Sequence, residues 1–224
     1  MGNPWFGSKA ASGLCQPLIA LMPPHSVYVE THLGGGALMR RKPAALRNIG
    51  IDLDGRALSG FRCDYPVELV RGCCHRFLAE FPFDGTELVY SDPPYLRGAR
   101  KSSRRYRHDY EDADHVALLE LLRALPCAAM VSGYPSALYD ELLRGWRSVS
   151  LQVMNQAGVV TEKAWFNFAP DRVHWASLAG RNFTHRQTVK RKAASWGRRY
   201  AAMPPAERLA VLAALMAAEA RAPS

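Results

Sequence analysis

Four consecutive residues, Asp92-Pro93-Pro94-Tyr95, are the strongest chemical signal in the sequence. Two adjacent prolines fix φ and remove two backbone donors, so the segment is stiff and its carbonyls keep their direction. A carboxylate beside a rigid carbonyl makes a pair of acceptors. An amino group has two hydrogens to give to such a pair, and Tyr95 adds a flat face on which a ring can stack. Taken alone, the segment also reads as an ordinary proline turn. A second signal is Glu30-Thr31-His32-Leu33-Gly34-Gly35-Gly36, where glycines let the backbone approach a ligand closely, although the run departs from the G-x-G-x-x-G pattern of dinucleotide sites. Asp52 follows at about the distance where an acidic side chain accepts hydrogen bonds from ribose hydroxyls. Asp54 competes for that role, and alternatively caps the helix that follows. Near the N-terminus, Trp5-Phe6-Gly7-Ser8-Lys9 sets an aromatic and a lysine at a spacing that could close a pocket over a carboxylate.

The elements that must position these residues are legible as short apolar runs. Strands are predicted at Val27–Val29, Asn48–Ile51, Val67–Val70, Glu87–Tyr90 and Cys127–Ser132, with helical stretches between them. The glycine loop, Asp52 and Asp92 each stand directly after a strand. Alternation of this kind implies crossover connections and a parallel sheet with helices on both faces. Asp112–Leu125 carries apolar residues at helical spacing, with Asp112 or Asp114 as its cap, and Ser136–Leu143 is a further helix. Val149–Val153 and Thr161–Phe168 are two β-like runs joined by a turn containing Ala157-Gly158, which suggests a hairpin. At the carboxyl ends of parallel strands, open α/β sheets bind their ligands. The candidate residues fall at those ends.

Taken together, in this order and strand context, the four segments resemble the adenine-specific DNA methyltransferases of the Dam type, which include many phage-encoded members. That family runs from an aromatic-x-G-[GS]-K segment through an E-P-F-x-G-x-G loop and an acidic end to strand two, to a D-P-P-Y loop. The resemblance spans residues 5 to about 168. It implies a seven-stranded Rossmann-like α/β sheet and the cofactor S-adenosylmethionine (AdoMet). It implies that Trp5, Lys9, Glu30, Asp52 and Asp92 contact AdoMet, with Gly34 and Gly36 letting the loop approach it. It also implies that Asp92 and the Pro93 carbonyl hold the target amine while Tyr95 stacks on the base. The sequence departs from the family in three places. Thr31-His32 replaces the usual Pro-Phe. Gly72-Cys73-Cys74 stands where relatives place an acidic residue near the cofactor's adenine, a hydrogen bond worth roughly 1 kcal/mol. Only 39 residues separate Asp52 from Asp92, room for one strand and two helices but not for an inserted target-recognition domain.

The chain has 224 residues, a formal net charge of +9 and an isoelectric point of about 9.6. The basic excess favours a polyanionic partner such as DNA, duplex or single-stranded. Arg97, Arg100, Lys101, Arg104, Arg105 and Arg107 follow the D-P-P-Y segment with no acid before Asp109, and are candidates for phosphate contacts. Five cysteines show no C-x-x-C pair, so no metal site is expected. No signal peptide or membrane span is predicted, and the expected location is the cytoplasm. The expected division is a catalytic domain over 1–169 and a basic helical extension over 170–224, read as helix, break, helix. The oligomeric state is not specified by the sequence. Within the same chemistry the target amine could instead belong to cytosine, an RNA base or a protein amide. A reading from another class is a catalytically silent nucleic-acid-binding module.

Overall fold

The computed structural model describes residues 14–99, 107–155, 158–169 and 182–208, together with 210, 211 and 214. The chain divides into two compact units, residues 1–170 and 171–224. The first unit is built on a seven-stranded sheet. Its strands are β1 (Val27–Glu30), β2 (Arg47–Asp52), β3 (Glu68–Arg71), β4 (Glu87–Ser91), β5 (Ala128–Gly133), β6 (Arg147–Asn155) and β7 (Gly158–Phe166). The strand order is β3-β2-β1-β4-β5-β7-β6. The first five strands are parallel, and β7 and β6 are antiparallel additions at one edge. The hairpin places Asn155 opposite Gly158. The order reverses beside β1: the chain runs outward through β2 and β3, then returns to β4. The crevice at that switch, at the strands' carboxyl ends, is where such a sheet binds ligands.

Residues two apart on a strand share a face. Val29, Ile49, Ile51, Val89, Ala129, Val131 and Trp165 point to one face, where they form a single core with Leu78, Leu118, Leu119, Leu122 and Tyr139. Those partners come from α3 (Cys74–Glu80), α4 (Asp112–Ala124) and α5 (Ala137–Leu142). The three α4 leucines are completely buried and repeat at helical spacing. Each such burial contributes roughly 1.5–3 kcal/mol relative to exposure. Glu111, one residue earlier than expected, begins α4 as its N-cap. It forms a reciprocal capping box with Asp114, whose carboxylate accepts the Glu111 N–H at 2.8 Å.

The alternate positions, Tyr28, Glu30, Leu88, Tyr90, Met130 and Ser132, lie on the opposite face and are all buried. α1 (Cys15–Leu21) and α2 (Gly55–Gly60) complete the first unit's described helices. Asp54 caps α2 through the Arg56 N–H at 3.0 Å. The segment after the glycines, expected to be a short helix, is a series of turns closed by bonds such as Arg40 N–H to Gly36 O. In the second unit, α6 (Phe183–Ala201) is capped by Asn182, and Pro204 follows its end. No helix among the described residues is long and apolar enough to cross a membrane.

Candidate active site

A cavity of about 390 Å³ opens at the switch point. Its walls include Glu30 and the glycine loop after β1, Asp52 after β2, and Asp92 to Tyr95 after β4. Three of the four segments singled out by sequence therefore meet in one place. The fourth, with Trp5 and Lys9, lies outside the described residues. Of the basic loop, Arg107 lines the cavity, and its guanidinium stands 3.6 Å from the Asp54 carboxylate. Arg97, in a short 3₁₀ turn, instead faces Asp109 at 3.7 Å and Glu111 at 3.8 Å. Arg100, Lys101, Arg104 and Arg105 lie outside the described residues.

The glycine loop and Asp52 are organised by each other. Asp52 Oδ2 accepts the Gly34 N–H at 2.8 Å, and Oδ1 accepts the Asp54 N–H at 2.8 Å. One carboxylate thus ties together the ends of β1 and β2. Burial raises its pKa while those two N–H donors oppose the rise. Gly34 has φ +46°, a conformation glycine adopts without strain, and a β-carbon there would meet open space. Gly36, at φ +59°, is required for a different reason: its β-carbon would fall 2.3 Å from the Phe61 ring. The second glycine is a packing requirement beneath the loop as well as a turn.

The β4 end presents the acceptor pair. Asp92 is half-buried, and Ser132 at the end of β5 donates to its Oδ1 at 3.1 Å. Tyr95 is buried in this structure, one ring face against Tyr134 at 4.3 Å between centroids. Its hydroxyl donates to Glu162 of β7 at 3.1 Å. A ligand ring stacking on Tyr95 would use the side that lines the cavity. Ser132, Tyr134 and Glu162 were not found by sequence reasoning. Their only sequence signal is that Ser132 and Tyr134 stand at the carboxyl end of the fifth strand.

Two buried groups set the electrostatics. Glu30 accepts from Tyr28 Oη at 3.2 Å and from the Met39 N–H at 3.0 Å. Burial, strengthened by the nearby Asp92 charge and opposed by these donors, pushes its pKa up to about 8. Lys42 does not pair with it directly, bonding instead to Asn48 Oδ1 at 3.1 Å and Pro43 O at 2.7 Å. Glu30 is therefore an acid in a cavity wall that would gain from a cation. His32 occupies the site of the departure from Pro-Phe. Its Nε2 lies 3.0 Å from Tyr110 Oη and 3.5 Å from Cys74 Sγ, and its Nδ1 2.9 Å from Thr31 Oγ1. Burial pushes its pKa down to about 3, aided by His75 and His115, so it is neutral near pH 7. Cys74 from the second departure thus meets His32 from the first. Among the described residues, no three His, Cys, Asp or Glu side chains converge where a metal ion could sit.

No protein-family model matches the sequence, and no curated protein does. Solved structures resemble it. A proposed O-methyltransferase from Klebsiella pneumoniae matches with a TM-score of 0.50 at 15% identity, covering 74% of this chain and 84% of that one. An rRNA methylase from Streptococcus thermophilus matches with a TM-score of 0.45 at 15% identity, covering 69% and 94%. A methyltransferase structure from Streptococcus mutans in complex with SAH matches with a TM-score of 0.44 at 12% identity, covering 69% and 95%. The Klebsiella likeness, at this strand order, shows the fold. It is the Rossmann-like methyltransferase fold.

Proposed function

We propose that this chain transfers a methyl group from AdoMet to the 6-amino group of adenine in DNA. The observation that carries the reading is a single cavity joining the glycine loop, Asp52 and the Asp92-Pro93-Pro94-Tyr95 segment. The residues present fit the cofactor. The buried Glu30 carboxylate suits the ammonium of its methionine part. Asp52 suits the ribose hydroxyls, and the open space at Gly34 suits close passage of the chain. When bound, AdoMet supplies an electrophilic methyl group on a sulfonium, so the reaction requires no metal.

The remaining chemistry belongs to the chain. The lone pair of an exocyclic amine is delocalised into its ring and is a poor nucleophile. Asp92 and the Pro93 carbonyl accept the two amine hydrogens, localise that pair and stabilise the positive charge that grows on nitrogen. The rigid diproline keeps both acceptors in place, so little orientation is lost on the way to reaction. After transfer the nitrogen must lose a proton, and Asp92 is the acceptor beside it. Tyr95 gives the base a stacking face. A base inside a duplex cannot reach this cavity, so it is flipped out or arrives single-stranded. In this reading residues 1–169 form the catalytic part. Residues 170–224 form a basic extension, whose α6 offers Lys190, Arg191, Lys192, Arg198 and Arg199 to phosphates.

The test is to incubate the protein with methyl-labelled AdoMet and, separately, duplex DNA, single-stranded DNA, RNA and protein. The product is then hydrolysed and the labelled species identified. N6-methyladenine from DNA is the expected result. Label in 4-methylcytosine, in an RNA base or in an amide would keep the chemistry and change the substrate. No transfer to any acceptor, with nucleic acid still bound, would favour a silent binding module.

A further inference from the structure

The fifth strand reads Ala128-Ala129-Met130-Val131-Ser132-Gly133. Ser132 is a polar exception in an otherwise apolar strand, only 2% exposed. Burying a hydroxyl is costly unless its hydrogen bonds are made. Here they are made in one direction. Ser132 Oγ lies 2.7 Å from Tyr90 Oη and 3.1 Å from Asp92 Oδ1. An ionised carboxylate only accepts, so the single Ser132 proton goes to Asp92. The Tyr90 hydroxyl must then donate to Ser132. The result is a directed chain, Tyr90 O–H to Ser132 O–H to Asp92, in which each bond polarises the next.

Sheet register explains why the three residues meet. Tyr90 pairs with Met130, so Ser132 is its diagonal neighbour on the same face, at the carboxyl ends of β4 and β5. Asp92 is two residues beyond Tyr90. Glu30 on β1 and Tyr139 on α5 both interact with its charge, and burial raises both pKa values; Tyr139 stays neutral, and Glu30, at about 8, is neutral near pH 7 until a cation stands beside it.

We propose that Ser132 is a positioning residue for methyl transfer: its hydroxyl, oriented by Tyr90, fixes the plane of the Asp92 carboxylate and holds it anionic and ready to accept the target amine. The proposal rests on the amine-methylation reading above. Its distinguishing consequence is electrostatic. A donor bonded to a carboxylate favours the charged form, so its removal raises the carboxylate pKa. A hydroxyl that merely filled space would leave that pKa alone.

The experiment compares the full-length protein with Ser132→Ala, Ser132→Cys and Ser132→Thr. Cysteine keeps the volume with a weak donor, and threonine keeps the hydroxyl. Carbon-13 NMR of aspartate-labelled protein, with Asp92 assigned through Asp92→Asn, follows its titration without any turnover. The Ala and Cys variants should titrate about one pH unit higher than the parent, and Thr should return toward it. Single-turnover methylation should slow by about ten- to a hundredfold in Ala and Cys, with the dissociation constant for AdoMet unchanged within twofold. The acidic limb of the rate profile should move to higher pH in step with the NMR value. An Asp92 titration unchanged in whichever of Ala and Cys folds, or a rate loss that Thr does not recover, would overturn the proposal. If the NMR shift appears but the parent methylates no amine, the hydrogen-bond assignment stands and the functional reading fails.

Discussion

At the scale of single residues, the proposed reaction divides the site into groups that would touch the substrate and groups that hold them. Asp92 belongs to the first class. Asp92→Ala removes an acceptor whose interaction strengthens as charge grows on nitrogen, so the rate should fall to background. Nucleic-acid binding should persist, because phosphate contacts supply most of it. Rapid-quench methylation and a binding titration on the same preparation check both halves, and near-parental turnover by Asp92→Ala would remove it from the mechanism. Asp92, Pro93, Tyr95 and Asp52 could be chosen from sequence because their chemistry depends on neighbours in the chain: a rigid diproline, a strand just before. Ser132, Tyr134 and Glu162 could not. They act on partners 40, 39 and 67 residues away along the chain, which no local pattern encodes.

At the scale of elements, the site depends on how loops from different strands meet. Two of the three departures from the Dam-type pattern are one example. His32 after β1 and Cys74 at the start of α3 join Tyr110 before α4 in a buried cluster. His32 has a folded pKa of about 3 against 6.5 when unfolded. Below pH 6.5 the unfolded chain takes up a proton that the folded one refuses. Stability from this residue is therefore complete above 6.5 and is lost as pH falls toward 3, by at most about 1.4 kcal/mol per unit. His75 and His115 remain in a His32→Phe variant, so the difference between variant and parent isolates His32. Urea unfolding between pH 7 and 4 should show a shallower acid loss for His32→Phe, and identical slopes would contradict the buried, neutral assignment. A second example is the loop between β4 and α4. Arg107 reaches the cavity rim, whereas Arg97 faces acids of its own chain. Replacing Arg104, Arg105 and Arg107 by Ala should flatten the salt dependence of duplex binding, by roughly 0.9 in log–log slope for each phosphate that is no longer neutralised. AdoMet affinity should be unchanged. Binding isotherms at several salt concentrations decide this, and an unaltered slope would place the phosphate grip elsewhere.

At the scale of the whole molecule, the short connection between β2 and β4 matters most. It holds only α2, β3 and α3. Base reading takes side chains in a groove, each good bidentate contact discriminating by roughly 1–3 kcal/mol. With no inserted recognition domain, few such contacts are on hand. The remaining candidates are the loop after Tyr95, the β6–β7 turn and α6, which together are richer in Arg and Lys than in the Asn and Gln that suit adenine, with Asn155, Gln156 and Gln187 as the exceptions. The expected specificity is short or relaxed: adenine with one or two neighbours, and a preference for single-stranded or distorted DNA, where flipping costs less. Methylating a random-sequence library and mapping every modified adenine measures this. A strict site of four or more base pairs, methylated efficiently in duplex DNA, would point to a reading element elsewhere in the chain.

The sequence by itself determined the order of elements, the parallel core with its terminal hairpin, and three segments that meet at one cavity. These features rest on short-range physics: apolar periodicity, proline and glycine stereochemistry, and the rule that parallel strands bring their carboxyl ends together. It placed boundaries less well, moving the cap of α4 by a residue and reading turns after the glycines as a helix, because competing caps and turns differ by small local energies. Only the tertiary structure decided which strand lies beside which, and with that the partners of each site residue. Asp92 meets Ser132 because β4 and β5 are neighbours in this register. Gly36 is required because Phe61 packs under it. The pKa values of Glu30 and His32 move because of what surrounds them in three dimensions. Burial and cross-strand pairing depend on the folded topology, and residues far apart in sequence carry no local trace of it.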